Sequence, residues 1–393
     1  MRFAVIQPMK IPRHKAHTIA VINTWWAMAR LGHLCTLMVR EMQGQLPEVL
    51  RFYGLEHESN FFIYPVGWDR RAGAPWWHEY VERAVQVIPD PFHGVVYTRE
   101  MGVAQRLLSF RAGHGWKLFL ELHNLPSSLS EEMAGQAESE MQRQALLEQS
   151  QRESSVEREV LPSVDGIIYI SSGLRDMVQE VYGHELPPSS VIPNGAAMEN
   201  CPPPPLRERN GIAYVGHWQP DRGLETLLTA MTHLDRETLT LVGGNDPEDR
   251  KRIENAVAAL GIGARVKAIG CLPPPDARKA LLRSRVAVMT SQPGCLVGRM
   301  FASHTKLFEY MAAGAAIAAV DIPTVRPPLE HMRNALLVPP DRPEEMAAAI
   351  RRLLEDDDLA ESLAGQALED VKSYSWDRRA ARIHAFAASI MGE

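Results

Sequence analysis

The feature that most restricts the fold is an alternation of short apolar runs with longer helical stretches, which occurs twice along the 393 residues. In the first half the strand-length runs are 3–7, 35–39, 61–66, 95–98, 118–122 and 166–171. In the second half they are 212–215, 238–242, 265–269, 286–289, 315–320 and 335–338. Between them, apolar residues recur three and four apart. In 18–31, Ile19, Ile22, Trp26 and Ala29 share a face; in 224–234, Leu224, Leu227, Leu228 and Met231 do. Such runs joined by helices predict parallel strands, so the fold class is α/β with two doubly wound, Rossmann-like domains. Between the two series, 191–195 reads as a short strand and turn. The run Cys201-Pro202-Pro203-Pro204-Pro205 that follows reads as a stiff linker. The expected domains are 1–200 and 206–375, facing a cleft where the carboxyl ends of the strands collect ligands.

Composition narrows the class. Apolar residues make up 45% and charged residues 23%, which describes a soluble globular chain. A net charge of −6 argues against a nucleic-acid partner. The four cysteines, Cys35, Cys201, Cys271 and Cys295, are far apart and form no metal framework, as expected of reduced thiols in a cytoplasm. The start M-R-F-A-V-I-Q-P is too short for a signal peptide and reads as a first strand, and no apolar run is long enough to span a membrane. The expected location is cytoplasmic.

The stretch with the most chemistry is S-H-T-K-L-F-E-Y-M-A-A-G, 303–314, between two apolar runs. Leu307, Phe308 and Met311 form one buried face of a helix whose first turn offers the amides of Thr305, Lys306 and Leu307 and the positive end of its dipole. Lys306 adds a charge, and Glu309 is suited to accept hydrogen bonds from a diol. A diphosphate at the helix tip and a ribose on Glu309 describe a nucleotide-sugar; a surface helix with an ordinary Lys/Glu pair is the alternative. In V-G-H-W-Q-P-D-R-G, 215–223, Gly216 allows close backbone approach and Arg222 supplies a fixed cation, or the segment is a tight turn with a solvated Arg. V-G-G-N at 242–245 lacks the spacing of a nicotinamide site.

In the first half, E-L-H-N places His123 at the end of a strand, where a structural histidine is the plain alternative to a functional one. Arg99 ends the preceding strand. The loop 7–17 carries Lys10, Arg13, His14, Lys15 and His17, a basic rim suited to an anionic partner or simply to solvent. Of Trp25 and Trp26, at least one is expected in the core. The polar stretch 126–159 reads as a loop and a long solvated helix, with a mobile cover over an acceptor as the alternative. Asp356-Asp357-Asp358 reads as a solvated face, and the histidines show no metal-ligand spacing.

The ordered set V-I-P-N-G at 191–195, Y-V-G-x-x-x-x-x-R-G at 214–223, S-x-T-K-L-F-E-Y-M-A-A-G at 303–314 and Y-S-W-D-R-R-A near the end resembles the retaining glycosyltransferases of family four (glycosyl transferases group 1), which have the GT-B fold. K-A-H-T-I at 15–19 and E-L-H-N at 121–124 look similar to that family's acceptor loop and active-site histidine segment. The resemblance implies a retaining, metal-independent transfer of a sugar from a nucleoside diphosphate to an acceptor hydroxyl. Glu309 would bind the ribose, and the amides of Thr305, Lys306 and Leu307 the diphosphate. Ser303 and His217 would line the donor site, with Gly216 close against the donor. Arg222 and Lys306 would hold the leaving phosphate, and His123 would stand beside the sugar. Lys15, His17 and Arg99 would face the acceptor, and residues 376–393 would pack back on the first domain. Three departures stand out: Phe301 where the family has a sugar-binding Glu, His217 for an Arg, and Arg222 for a Lys.

The expected partners are therefore a UDP- or GDP-type sugar donor and a carbohydrate or lipid-linked acceptor, in polysaccharide or glycolipid assembly, with no cofactor and with peripheral contact at the inner face of a membrane. A nucleotide-sugar epimerase of GT-B fold, or a catalytically silent binding module, are the alternatives.

Overall fold

The computed structural model describes residues 1–393 except 68–75, 113, 184, 200, 245, 293 and 393, and the side chain of residue 76. The chain divides into two compact units. The first comprises Met1–Pro193, Met300–Ala302 and Arg379–Glu393, and the second Asn194–Arg299 and Ser303–Arg378. The division falls at Pro193–Asn194, so the proline run lies inside the second unit instead of between the two.

The first unit is built on a parallel sheet of seven strands: β1 (Arg2–Ile11), β2 (Leu34–Met42), β3 (Phe61–Pro65), β4 (Val95–Thr98), β5 (Lys117–Leu122), β6 (Gly166–Tyr169) and β7 (Ser189–Val191), in the order β3-β2-β1-β4-β5-β6-β7. The second has six: β8 (Ile212–Gly216), β9 (Leu239–Gly243), β10 (Val266–Gly270), β11 (Val286–Met289), β12 (Ala316–Val320) and β13 (Leu336–Val338), in the order β10-β9-β8-β11-β12-β13. In both, the chain builds outward from its first strand, then returns and builds the other way. The order reverses at β1/β4 and at β8/β11, the crevice in which doubly wound sheets bind ligands. The all-apolar runs follow from this: β4, β6, β11 and β12 are buried along their whole length.

Local differences from the sequence reading have clear causes. β1 runs on to Ile11, so Lys10 sits in the strand and pairs with Glu41 instead of joining a basic loop. The expected loop after residue 126 is a helix, Pro126–Gly135, with Pro at its start. It packs on a second helix, Glu140–Val160, through serine–carboxylate bonds: Ser127 Oγ donates to Glu157 at 2.6 Å and Ser130 Oγ to Glu153 at 2.6 Å. Trp25 is in the core against Phe3 and Tyr97, whereas Trp26 donates to the carbonyl of Glu56. Asp356 caps the helix Asp357–Asp370, and Asp357 pairs with Arg285.

The helix Trp376–Met391 gives the first unit its last layer from Arg379 onward. Phe386 packs on Phe119, and Arg379, 3% exposed, donates to Glu121 at 2.5 Å, Thr24 Oγ1 at 3.0 Å, and the carbonyls of Ile192 and Pro193 at 2.6 and 2.8 Å. Removing one partner of a buried ion pair strands the other charge. Arg379→Ala should therefore cost the first unit about 3–5 kcal/mol. Hydrogen exchange at β5 in rising urea measures this, and unchanged protection there would show that the pair does not hold the helix.

Candidate active site

In the first unit the functional candidates gather where the strand order reverses. β1 ends in a loop that enters the helix Ala16–Arg30, with Lys15 as its N-terminal cap residue. Arg99 follows β4, and His123 follows β5. Gln7, buried in β1, fixes this arrangement by accepting from the Arg99 amide at 3.3 Å and donating to Glu100 at 3.1 Å. Glu121 and His123, two apart at a strand end, lie on the same side. His123 Nε2 meets Glu121 Oε1 at 2.5 Å, and Arg99 Nη2 meets His123 Nδ1 at 2.7 Å.

Glu121 also receives the Tyr97 hydroxyl, Arg379, and Arg99 Nε at 3.4 Å. Burial alone would raise its carboxyl; Arg379, His123 and Arg99 outweigh burial and hold it below the ordinary carboxylate range. Burial, then the Arg99 charge, push His123 down to about 4, so its ring is neutral. The side chain is 21% exposed, enough to border a ligand. Lys15 and His17 are exposed, and the carbonyl of His17 accepts from Arg99 Nη1 at 3.2 Å. Arg99, expected toward an acceptor, is instead 9% exposed with its nitrogens engaged inside the unit.

The second unit repeats the placement at β8/β11. Gly216 ends β8 and pairs with Gly243 of β9. Gly243 has φ +141°, and a Cβ there would lie 1.8 Å from the carbonyl oxygen of Gly216. A Cβ on Gly216 would lie 3.2 Å from Lys306 Cδ, so the glycine leaves room for that side chain. Lys306 Nζ donates to the Tyr214 hydroxyl and to the carbonyl of Thr290, each at 3.2 Å, and lies 4.6 Å from the centre of the Tyr214 ring. It thus sits between the ends of β8 and β11. Burial and the nearby Arg222 push its amine down to about 7, with Asp221 opposing. Arg222 faces Asp221 at 3.4 Å, and its Nε has no hydrogen-bond partner among the described residues.

Lys306 opens the helix Thr305–Ala312. The amide of Leu307 donates to the carbonyl of His304 at 2.9 Å, which withdraws it from the expected set of phosphate donors. Among the described residues the amides of Thr305 and Lys306 have no backbone acceptor. His304 itself is buried and hydrogen-bonded to Thr324 Oγ1 at 3.0 Å; burial and the charges of Lys306 and Arg222 push it down to about 3. Ser303 ties the helix entry to the V-I-P-N-G turn, its Oγ and carbonyl accepting from the Asn194 amide and side chain at 2.8 and 2.9 Å.

One turn into the helix, Glu309 faces Arg278 at 3.7 Å. Burial raises its carboxyl to about 7, against the pull of Arg278 and the Ala197 amide. Arg278 also pairs with Glu199 at 2.5 Å and donates to the carbonyls of Ala197 and Ala312, locking the segment after the turn to the helix end.

The departures take structural form. Phe301 is fully buried, in the short Met300–Ala302 segment that belongs to the first unit, where Ser171 Oγ donates to the carbonyl of Met300 at 2.7 Å. His217 accepts the Tyr214 hydroxyl on its carbonyl at 2.8 Å. Tyr214, Arg278, Glu121 and Arg379 were not singled out as site residues by the motifs. Glu121, Tyr214 and Arg379 each lie inside a motif quoted above, and Glu121 also has a spacing of two from His123 on a strand; Arg278 lies in no motif. Among the described residues no group of three or more His, Cys, Asp or Glu is placed to hold a metal, and no helix is long and apolar enough to cross a membrane.

A lysine kept near neutrality by burial weakens the fold that holds it. The unfolded chain takes up its proton below about pH 10.4, whereas the folded site does so only near 7. Stability is therefore lost as pH falls between those values. After discounting for partial exposure, Lys306→Met should stabilise the second unit at pH 7 by about 1–2 kcal/mol. Urea unfolding at pH 7 and 10 checks this, and an equal effect at both pH values would contradict the neutral amine.

Residues 209–356 match the family model of glycosyl transferases group 1. Over 239 residues, 58% of this chain and 58% of the other, the sequence is 29% identical to a phosphatidyl-myo-inositol mannosyltransferase of Mycolicibacterium smegmatis. The matches span 22 to 58% of the length of the first curated relatives. Among solved structures, a sucrose-phosphate synthase from Thermosynechococcus elongatus superposes with a TM-score of 0.73 at 20% identity, covering 100% of this chain and 99% of that one. Anabaena HepE, in complex with UDP and glucose, does so with 0.73 at 16% identity, covering 98% and 99%. At these identities the likeness is one of fold. The stretch 209–356 is thus a glycosyl transferases group 1 domain, carried in a chain of GT-B fold.

Proposed function

We propose that this protein is a retaining glycosyltransferase that moves a sugar from a nucleoside diphosphate to an acceptor hydroxyl in glycan assembly. The observation that carries the reading is the placement of Lys306. Its amine stands at the strand-order reversal of the second sheet, beside Arg222 and the amides of Thr305 and Lys306, which have no backbone acceptor among the described residues, with Glu309 one turn behind. A diphosphate leaving group develops charge as the sugar departs, and Arg222, the Lys306 amine once protonated, and the two amides stabilise that charge without a metal. Glu309, once ionised, accepts two hydroxyl protons from a ribose diol. His123, neutral and fixed, borders the sugar on the first unit and carries no proton to or from it. Lys15 and His17, exposed at the first helix, face the acceptor. One relative is named a phosphatidyl-myo-inositol mannosyltransferase, and the HepE structure holds UDP and glucose; these support a UDP- or GDP-type donor and a carbohydrate or lipid-linked acceptor met at a membrane surface.

Thermal-shift and calorimetric titration with UDP, GDP and ADP and their sugars, with and without EDTA, tests the donor site. Selective stabilisation that EDTA leaves intact is expected. Glu309→Ala should weaken binding of the selected diphosphate by about 1–3 kcal/mol, and unchanged affinity would remove the site. Stabilisation by none of the nucleotides would move the silent binding module to the front, and release of free sugar epimer without an acceptor would favour the epimerase.

Binding should also move a proton. At pH 8 the Lys306 amine is mostly neutral, and a bound diphosphate favours its charged form, so the complex takes up a proton. Calorimetry in buffers of different ionisation enthalpy reads this uptake directly. It should be lost in Lys306→Met at pH 8, and at pH 6, where the amine is already charged and Glu309 must give up its proton to hold a ribose, uptake should give way to release.

A further inference from the structure

The guanidinium of Arg99 is engaged in three directions within the first unit. Nη1 donates to the His17 carbonyl at 3.2 Å, Nη2 to His123 Nδ1 at 2.7 Å, and Nε faces Glu121 at 3.4 Å. Its own amide is held by Gln7. A planar fork of fixed donors can reach these partners together; the single nitrogen of a lysine cannot. An arginine stays protonated, so His123 Nδ1 must accept. The ring proton is then on Nε2, where Glu121 takes it at 2.5 Å. Both ring nitrogens are engaged, and what His123 offers a ligand is its ring edge and its peptide groups.

We infer that Arg99 is a positioning residue for sugar transfer: it joins the first turn of the helix Ala16–Arg30 to His123 and locks that ring in one neutral tautomer, and it does not contact the acceptor. This rests on the transferase reading above. The helix start that carries Lys15 and His17 is linked through one side chain to the ring that borders the sugar. A shift of the His17 carbonyl is therefore felt at His123. The other charged or titratable groups that face this ring or its partners are Glu121, Arg379, Tyr97 and Glu100.

The test uses the full chain with nitrogen-15-labelled histidine, as wild type, Arg99→Met and Arg99→Lys. Long-range proton–nitrogen spectra of wild type should show His123 as the Nε2–H tautomer, unprotonated from pH 8 to 5. Arg99→Met frees Nδ1 and removes a neighbouring cation, so the titration midpoint should rise by at least about one pH unit. Arg99→Lys, which keeps the charge, should leave the midpoint low but mix the tautomers. Nucleotide release from UDP-glucose and GDP-mannose should fall at least tenfold in kcat in both variants, with UDP and GDP affinities within twofold of wild type; unchanged resonances of His33 and His384, which stack on each other in the first unit, show that this unit is folded in the variants. An unaltered titration in Arg99→Met overturns the clamp. An altered titration with unaltered kcat overturns its part in transfer. If wild type binds both nucleotides but releases none from either donor, the transferase reading falls and takes Arg99's part in transfer with it, while the titration still decides the clamp.

Discussion

Two parallel strands that are neighbours in space but not in sequence leave an uncovered crevice above their carboxyl ends, because the connections that follow them leave toward opposite sides. Both sheets have one such place, and the candidate chemistry of each unit is found there. In the first unit the ends of β1, β4 and β5 bring together Gln7, Arg99, Glu121 and His123. In the second, the ends of β8 and β11 meet on the amine of Lys306. Neither cluster is written in one segment of the chain; each is a product of strand order.

The two clusters differ in how completely they are satisfied. The first is closed: a buried carboxylate receives Tyr97, His123, Arg99 and Arg379, and both histidine nitrogens are engaged. Such a network is rigid and binds little beyond its own members. The second is open. Lys306 and Glu309 are both drawn toward neutrality near pH 7, Arg222 Nε and Asn194 Oδ1 lack partners among the described residues, and two helix amides have no backbone acceptor. Buried polar groups in native proteins are normally paired. An open cluster of cations and amides therefore fits a site whose missing partner is an anion.

The fold was legible in the sequence because parallel strands buried on both faces leave unbroken apolar runs, and every run named in advance is a strand. The register of function was harder to see. Leu307 shares the helix's first turn with Thr305 and Lys306 in the sequence, yet the turn into that helix directs the Leu307 amide to His304. The apolar run stops at Ile6, which points to a loop at Lys10, although β1 continues as far as Ile11. Pro126 followed by serines suggested a loop, although proline at the first turn is also how helices begin. Arg379 lies in Y-S-W-D-R-R-A and Glu121 in E-L-H-N, but they are 258 positions apart, and neither motif announces the other as its partner.

That distance has a consequence for synthesis. The ribosome makes all seven strands of the first unit's sheet, then residues 194–378, most of them a separate unit, before it makes Arg379. Through that interval the carboxylate of Glu121 has no counter-charge from the last helix, and the surface around Phe119 and Gly166 has no Phe386 or Ile390 over it. A nascent chain in this condition exposes apolar surface beside an incompletely neutralised acid, a state that chaperones hold and proteases find. The half of the molecule made first is thus the half completed last.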